Sequence, residues 1–284
     1  MIRDKMFFPP HKKSLAKVSS NGGDYCDLTD EELELDFQDL SDDLASLQEL
    51  IFAESKHKIL IVLQGLDTSG KDGTVKHVFG VTNPQGVRVV SFKKPTDLES
   101  RHDYLWRVHR ETPEQGEMVI FNRSHYEDVI VPTVHQTHTK KQIQNRIQDI
   151  NAFEKMLVNE GVTLLKFFLH ISHKEQAQRI AERLDNPKKH WKFQLSDLTE
   201  RQLWNQYQEA YDQIIKATHH KERPWFIIPA DNKKLRNHFI SSILVHRMQA
   251  LNPKLPSFDK KLLRKIKAEA IALLGRRHQG LGSK

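Results

Sequence analysis

Apolar residues along the chain form short strand-like runs that are separated by longer stretches of helical spacing. The clearest run is Ile59-Leu60-Ile61-Val62-Leu63, a continuous apolar segment typical of a strand covered on both faces. Strands are predicted at residues 59–63, 87–92, 118–121, 163–169 and 225–229, and helices at roughly 72–80, 97–112, 139–160, 172–185, 196–218 and 232–251. This alternation predicts an α/β fold in which a five-stranded parallel sheet carries helices on both faces.

A long helix is predicted before the first strand. Thr29 and Glu32 have the spacing of a capping box, which marks the first turn of a helix. The apolar residues that follow alternate spacings of four and three and are Leu33, Phe37, Leu40, Leu44, Leu47 and Ile51. They form one stripe, and packing on the chain's own domain is the favoured interpretation. Because the spacing is close to a heptad repeat, a share in an oligomer interface stays open.

The composition is that of a globular protein with a basic charge balance. Hydrophobic residues make up 38% of the 284 residues, the formal net charge is +7 and the sequence pI is about 9.3. This charge favours polyanionic partners such as nucleic acid, a membrane surface or a phosphate-rich substrate. Cys26 is the single cysteine, which excludes an internal disulfide. No stretch approaches a membrane helix and the start lacks a signal peptide, so we expect a cytoplasmic protein without membrane contact.

The segment Gly65–Thr74 carries the clearest candidate chemistry. Gly65, Gly70 and Lys71 match the pattern G-x-x-x-x-G-K directly after a predicted strand and before a predicted helix. In such a P-loop, glycines let successive N–H groups face phosphate oxygens, and the lysine neutralises the terminal phosphates. The predicted phosphate-binding residues are Gly65, Thr68, Ser69, Gly70, Lys71, Asp72, Gly73 and Thr74.

Two acids depart from the usual P-loop. Asp72 occupies the position of the Mg²⁺-binding hydroxyl residue, and Asp67 lies inside the loop, where a carboxylate repels bound phosphates. A bridging Mg²⁺ would remove this repulsion, and a role as base for an incoming acceptor would also explain the position. A simple helix-capping role for Asp67 is the weaker alternative because it leaves the repulsion unexplained.

Two groups of cations follow the second and fourth strands. Arg179 and Arg183 lie four residues apart on one predicted helical face, where their repulsion is relieved by a bound anion. A solvated helix face is the alternative, but the position after the fourth strand favours a lid that closes over bound phosphate.

The second group surrounds the exit of the second strand and consists of Lys93, Lys94, Arg101, Arg107 and Arg110. We predict that Lys93, Lys94, Arg107 and Lys174 form a groove for a long phosphate-rich polyanion, which the family resemblance given next implies to be polyphosphate. The 16 histidines show no zinc-ligand spacing.

Five stretches together resemble family 2 polyphosphate kinases. They span roughly residues 30–250 in the family's order and are 65–74, 83–96, 121–128, 186–193 and 224–233. The resemblance implies a P-loop kinase fold similar to thymidylate kinases, with a helical lid at about residues 172–200. It also implies Mg²⁺ dependence, with Mn²⁺ as a substitute, and a homo-oligomer, either a dimer or a tetramer. The activity that it implies is direct phosphoryl transfer with polyphosphate as donor or acceptor.

The resemblance also assigns roles to individual residues. It makes Asp67 catalytic and metal-linked, and it places Asn122 and Arg123 at the site. Because Asn122 cannot supply a charged metal ligand, we expect Asp67 to carry more of that role, with Glu127 as a second, weaker metal ligand. Many members that act on nucleoside diphosphates have Asp where this chain has Asn122, so the branch that accepts AMP, and often ADP, is indicated. The predicted catalytic residues are Asp67, Lys71, Asn122, Arg123, Arg179 and Arg183.

We therefore expect an irregular arm at residues 1–28, a P-loop kinase domain at 29–255 and a basic C-terminal helix and tail at 256–284. The expected activity is phosphoryl transfer between polyphosphate and AMP, ADP or both, with guanine nucleotides as further candidates. An ATP-dependent nucleoside monophosphate kinase is the first alternative, although it leaves the basic groove unexplained. A nucleic-acid-binding protein is the second, although no basic stretch interleaved with aromatic residues supports it.

Overall fold

The computed structural model describes residues 14–192, 195–257 and 259–274 of the chain. Two compact units are present, one from Met1 to Pro253 and one from Lys254 to Lys284. The first contains the sheet and all candidate site residues. The second contains a helix over Lys260–Leu274. Most of the predicted N-terminal arm (residues 1–13) and the predicted tail (residues 275–284) lie outside the described residues.

The described residues form five strands and ten α-helices. The strands are β1 Lys58–Gln64, β2 Val87–Ser91, β3 Met118–Asn122, β4 Val162–His170 and β5 Trp225–Pro229. The helices are α1 Asp30–Glu54, α2 Lys71–Val78, α3 Trp106–His109, α4 Glu127–Val134, α5 Lys140–Asn159, α6 His173–Asp185, α7 Leu195–Gln202, α8 Trp204–Thr218, α9 Lys233–Ala250 and α10 Lys260–Leu274. In the described part of the chain, no helix combines the length and apolarity that crossing a bilayer requires.

The five strands form one parallel sheet in the order β2-β3-β1-β4-β5. The predicted α/β fold with five parallel strands is therefore confirmed. In the register of the sheet, Leu63 of β1 lies beside Asn122 of β3. The loops that leave β1 and β3 are consequently neighbours at the carboxyl edge of the sheet, which is where ligands bind in folds of this class.

Side chains of β1 alternate between the two faces of the sheet. Ile61 and Leu63 pack into a core formed with α1 and α9, while Leu60 and Val62 pack into a second core formed with α4, α5 and α8. Burial on both faces explains why the strand is a continuous apolar run. Helices therefore cover both faces, as the sequence predicts.

The apolar stripe of α1 packs on the chain's own domain. Leu33, Leu44 and Ile51 are buried in the core beneath α1, and Leu40 and Leu47 pack against that core. The capping box predicted at the start of the helix is present, with both reciprocal hydrogen bonds formed. The stripe thus packs against the core of its own domain. The expected dimer or tetramer stays a prediction, and its interface would have to include residues outside the stripe.

Three helical segments differ from the sequence prediction. Residues 97–112 contain only a 3-10 turn at Glu99–Arg101 and the one-turn α3, because the Asp103 carboxylate accepts hydrogen bonds from the N–H groups of Leu105 and Trp106. The long helix predicted at 196–218 is divided at Leu203 into α7 and α8. Helix α4 has no counterpart in the prediction, because its short apolar sequence contains Pro132.

Candidate active site

The P-loop connects the end of β1 to the start of α2 through a tightly curled backbone. Gly65 and Gly70 have φ angles of 151° and 105°, and Thr68 has a φ angle of 67°. A Cβ atom on Gly70 would lie 1.9 Å from a guanidinium nitrogen of Arg236, and one on Gly65 would lie 2.8 Å from the carbonyl oxygen of Leu169. Both positions therefore favour glycine for their backbone conformation, and at Gly65 the neighbouring backbone also leaves no space for a Cβ atom.

Lys71 is the first residue of α2 and is buried beneath the loop. Its Nζ donates to the carbonyl oxygens of Gly65, at 2.7 Å, and Leu66, at 3.2 Å. Burial lowers the pKa of Lys71, and the nearby Asp67 carboxylate opposes this shift. The ammonium group is thus held at the phosphate-binding loop by backbone oxygens, in the position that the sequence motif assigns to it.

Asp67 forms an ion pair with Arg123 across the mouth of the loop. The Nη2 atom of Arg123 donates to Oδ1 of Asp67 at 2.6 Å. Burial by itself would raise the pKa of Asp67, but the charges of Lys71, Arg123 and Arg183 outweigh burial and lower it. Asp67 is therefore a carboxylate near neutral pH, held by three surrounding cations. The charges of these cations offset the repulsion that the Asp67 carboxylate would otherwise exert on bound phosphate.

Asn122 and Asp72 join the end of β3 to the first turn of α2. Nδ2 of Asn122 donates to Oδ1 of Asp72 at 2.8 Å. The amide provides the donor that this contact needs, whereas an aspartate at position 122 would place two carboxylates in contact. Such a pair requires a shared proton or a cation. Asn122 therefore allows this contact to form without a bridging cation.

Glu127 begins α4 and faces the same space as Asp67. Burial raises the pKa of Glu127, although Arg123 and Lys71 act in the opposite direction. Gln64 satisfies both ends of its amide when the nitrogen faces Glu127, where it donates to Oε1 at 2.9 Å and its oxygen accepts from the N–H of Ser124 at 3.1 Å. The carboxyl group of Glu127 is thus fixed beside the Asp67–Arg123 pair.

Arg179 does not reach the space where phosphate would lie, contrary to the sequence prediction. It is 5% exposed, and each of its five N–H groups has an acceptor. These acceptors are the carbonyl oxygens of Thr68 (3.0 Å), Ser69 (3.1 Å), Ala230 (2.6 Å) and Asp231 (2.9 Å), and Oε1 of Glu175 (2.8 Å). A guanidinium group has five donors, so no donor is left for a phosphate oxygen. Arg179 instead fixes the P-loop backbone to α6 and to the end of β5.

Arg183, one helical turn after Arg179, remains at the site. It lines the larger of the two cavities described below, and its charge contributes to the lowered pKa of Asp67. The two arginines that the sequence pairs on one helical face therefore have different surroundings. The four-residue spacing was sufficient to predict a shared face, but it gave no information about which guanidinium group is buried.

Arg236 is a site-supporting residue that the sequence analysis missed. It lies on α9, is 2% exposed and packs its guanidinium group against the P-loop at Gly70 and Gly73. Burial lowers the pKa of Arg236 to about 10, and the charge of Arg179 adds to this effect. Its Nε and Nη2 donate to Oδ1 of Asn237. The sequence around an isolated arginine on a predicted helix does not indicate contact with the P-loop, because only the packing of α9 brings Arg236 beneath the loop.

Two cavities meet at the Asp67–Arg123 pair. The first, the tyrosine-lined cavity, has a volume of about 270 Å³ and is lined by Gly65, Leu66, Asp67, Arg123, Glu127, Val131, His135, Gln176, Ser196, Asp197, Glu200, Arg201, Tyr207 and Tyr211. The second, the lysine-lined cavity, has a volume of about 620 Å³ and is lined by Asp67, Thr68, Gly70, Lys71, Asp72, Gly73, Ser91, Phe92, Lys93, Lys94, Asn122, Arg123, Arg183, Trp191 and Asp197. The ion pair consequently borders both.

The predicted polyphosphate groove is only partly assembled at this site. Lys93 and Lys94 are exposed and line the lysine-lined cavity. Arg107 is buried and donates to the carbonyl oxygen of Lys93, at 2.8 Å, and to Oδ2 of Asp128, at 3.3 Å. Lys174 is exposed but lines neither cavity. Arg107 therefore supports the backbone from which Lys93 projects, rather than presenting its own charge to the cavity.

The P-loop hydroxyl groups and acids fit a phosphate substrate with a divalent cation. The side-chain oxygens of Thr68, Ser69 and Thr74 are buried and have no hydrogen-bond partner among the residues that the structure describes. Within that same part of the chain, no three His, Cys, Asp or Glu side chains form a self-sufficient metal cage. Mg²⁺ usually takes one or two carboxylates and completes its shell with water and substrate phosphates. Asp67 and Glu127, which line one cavity, match this requirement.

The parallel sheet, the P-loop and the convergent cations define a P-loop phosphotransferase. The family model for Polyphosphate kinase 2 (PPK2) matches residues 27–256. The chain belongs to the polyphosphate kinase 2 family, which confirms the resemblance inferred from its motifs.

Similar proteins of known name and structure support the same assignment. The AMP/ADP-polyphosphate phosphotransferase of Meiothermus ruber is 53% identical over 213 residues, which cover 75% of this chain and 80% of that protein. The ADP-polyphosphate phosphotransferase of Rhodopseudomonas palustris is 38% identical over 225 residues, which cover 75% of this chain and 78% of that protein. The crystal structure of polyphosphate kinase 2 from Arthrobacter aurescens TC1 has a TM-score of 0.89 at 34% identity and covers 94% of this chain and 96% of that chain.

Proposed function

We propose that this protein transfers a phosphoryl group between inorganic polyphosphate and the adenine nucleotides AMP and ADP. The observation that carries the proposal is the Asp67–Arg123 pair, whose 2.6 Å contact lies where two cavities of different character meet. A phosphotransferase must bring the phosphates of its donor and acceptor end to end, and the junction of the two cavities is a position where they can meet. The names of the Meiothermus ruber and Rhodopseudomonas palustris relatives support the choice of substrates.

The lysine-lined cavity is the proposed donor site. Lys71, Lys93, Lys94 and Arg183 surround it with positive charge, and its volume of about 620 Å³ suits several phosphate units. Polyphosphate presents a row of like charges without a sequence, so a row of cations is a sufficient recognition element. The exposed Lys93 and Lys94 extend this row beyond the P-loop.

The tyrosine-lined cavity is the proposed nucleotide site. Tyr207, Tyr211 and Val131 give it an aromatic and apolar wall that suits a nucleobase or ribose, and Glu200 and Arg201 add polar groups. Oη of Tyr207 donates to Oε2 of Glu200 at 2.7 Å, which fixes that part of the wall. A nucleotide bound here would direct its phosphate towards Asp67 and Arg123, and hence towards the terminal phosphate of the donor.

Catalysis in this arrangement rests on positioning and charge. An acceptor phosphate oxygen attacks the terminal phosphorus of polyphosphate, one P–O bond forms, and the bridging P–O bond breaks as the shortened chain leaves. Lys71 and Arg123 would stabilise charge on the equatorial oxygens, while the ionised Asp67 orients the acceptor. Bound Mg²⁺, held by Asp67 with Glu127 and the substrate phosphates, would supply charge neutralisation between the two phosphate chains.

The decisive experiment omits ATP. We expect purified protein incubated with AMP, Mg²⁺ and polyphosphate to form ADP and then ATP, as followed by chromatography of the nucleotides. A parallel reaction with AMP and ATP alone tests the alternative of an ordinary ATP-dependent kinase. Absence of ADP in the first reaction would contradict the proposal, and activity only in the second would establish the alternative.

A further inference from the structure

The backbone of Arg123 adopts a conformation that its surroundings must maintain. Its φ angle of 63° is in the left-handed region, which residues with a Cβ atom rarely occupy. From this position the side chain reaches Asp67, and the N–H donates to the carbonyl oxygen of Leu63 at 3.1 Å. A strained residue at a functional site persists when neighbouring contacts fix the loop that contains it. Here that loop is the β3–α4 loop, residues 123–126.

The next residues of the β3–α4 loop point away from the site and into the core. His125 and Tyr126 are fully buried. Oη of Tyr126 donates to Oε1 of Glu154 at 2.6 Å, and Nε2 of His125 lies 3.3 Å from the same oxygen. Glu154, a fully buried residue of α5, thus holds the two side chains that immediately follow Arg123 and Ser124.

A buried lysine is the main charged partner of Glu154, and the buried Arg223 adds a longer contact, with its Nε 3.6 Å from Oε2 of Glu154. Nζ of Lys166, on β4, donates to Oε2 of Glu154 at 2.6 Å, to Oη of Tyr126 at 3.1 Å and to the carbonyl oxygen of Thr218 at 2.8 Å. All three donors of the ammonium group are therefore used. Thr218 ends α8, the helix that carries Tyr207 of the tyrosine-lined cavity. One buried ion pair is thus bonded both to the loop of Arg123 and to the end of this helix.

Stability alone does not explain such a pair. Replacing a fully buried ion pair by apolar side chains of similar volume is often neutral or stabilising, because removing two charges from water offsets their attraction. A pair whose hydrogen bonds all end on the β3–α4 loop and on α8 instead determines where those elements lie. We propose that Glu154 and Lys166 are positioning residues that hold the β3–α4 loop so that Arg123 stays on Asp67. This inference rests on the proposed function in one respect, which is that Arg123 acts where the phosphoryl group is transferred.

A double-mutant cycle separates positioning from general support of the fold. We expect Glu154→Gln to lower kcat about 10-fold or more, since small displacements of reacting groups have effects of this size, with the KM for AMP within about twofold. In an Arg123→Ala background the same change should lower kcat by less than about threefold, because the residue through which Glu154 acts is gone. Equal losses in both backgrounds would overturn the proposal.

Hydrogen–deuterium exchange tests the loop without depending on turnover. The peptide covering residues 121–128 should exchange about fivefold faster in Glu154→Gln than in the wild type, while β1 stays unchanged. The control is Arg88→Met, which removes partly exposed ion pairs with Glu111 and Glu117 outside the site and should leave this peptide and kcat unchanged. Unchanged exchange in Glu154→Gln would refute the inference whatever the activity, whereas a wild type without transfer would count only against the proposed function.

A second variant keeps the test independent of folding. Glu154→Leu combined with Lys166→Met and Arg223→Met removes all three buried charges at similar volume, and its melting temperature should stay near that of the wild type. Faster exchange of the 121–128 peptide and a kcat lowered about 10-fold are expected in this variant as well. Wild-type exchange and kcat in this triple variant would show that the ion pair has no positioning role.

Discussion

Asn122 donates a hydrogen bond to Asp72 at 2.8 Å and thereby joins the end of β3 to the first turn of α2. The contact lies at the lysine-lined cavity, between the P-loop and the loop of Arg123. It depends on the amide, since a second carboxylate at position 122 would meet the first with like charge. This single amide therefore affects how much the site depends on a cation for its integrity.

Replacing Asn122 by aspartate should make the stability of the protein respond to Mg²⁺. Without the ion, two adjacent carboxylates should lower the free energy of unfolding by roughly 1 kcal/mol, a modest value because Asp72 is exposed. Added Mg²⁺ should restore the melting temperature. The control Asn122→Ala removes the hydrogen bond without adding charge and should show no larger response to Mg²⁺ than the wild type. Equal responses of the two variants would contradict this explanation.

Arg179 and Arg183 form a matched pair for separating support from catalysis. Arg179→Met should lower the free energy of unfolding by about 2–4 kcal/mol, because four carbonyl groups, three of them buried, and Glu175 lose their donors. Arg183→Met should change stability by less than about 0.5 kcal/mol but should lower kcat/KM for polyphosphate. Urea unfolding and initial rates measure the two effects. A stable Arg179→Met protein would show that the guanidinium contacts do not hold the P-loop.

The double variant Lys93→Gln/Lys94→Gln tests the donor site. We expect its KM for polyphosphate to rise about 10-fold, with the KM for AMP changed less than about twofold, because two cations are removed from the lysine-lined cavity alone. The rise should shrink at high ionic strength. Lys174→Gln, which removes an exposed charge that lines neither cavity, is the control and should behave as the wild type. Similar effects from both variants would argue against a defined polyphosphate site.

Acid unfolding should reveal the buried carboxylate beneath the site. Burial raises the pKa of Glu154, but Lys166 and His125 outweigh burial and lower the pKa from 4.5 to about 2. The resulting stability is fully present above pH 4.5 and is lost as the pH falls towards 2, with a magnitude on the order of 3 kcal/mol. Over this range, urea unfolding of the wild type should lose stability more steeply than that of Glu154→Gln. Parallel curves would mean that Glu154 does not titrate in this way.

The sequence was most informative where one local pattern determines the structure. The apolar run of residues 59–63 predicted a strand buried on both faces, and the glycines of the P-loop predicted the phosphate-binding turn, because each depends on neighbouring residues alone. Helix α3 was predicted too long, since the side chain of Asp103 forms a turn that apolar periodicity does not report. Helix α4 was missed because its short apolar sequence contains Pro132.

The roles of charged residues were less predictable because they depend on burial. Arg107 and Arg179 were expected to face phosphate, yet their guanidinium groups donate to carbonyl oxygens and carboxylates inside the fold. Conversely, no local sequence pattern marks Arg236 or Glu154, although both lie beneath the site. Composition and spacing show that a charge is present on an element, but only the packing of distant elements decides whether it meets solvent, substrate or backbone.

The most direct test compares the wild type with Asp67→Asn in a reaction that contains polyphosphate, AMP and Mg²⁺ but no ATP. Asp67→Asn keeps the size of the side chain and removes the charge that pairs with Arg123, so the melting temperature should change little. Nucleotide analysis should show ADP and then ATP with the wild type, and a kcat lower by about 100-fold or more with the variant. Comparable rates for the two proteins would contradict the central role assigned to Asp67.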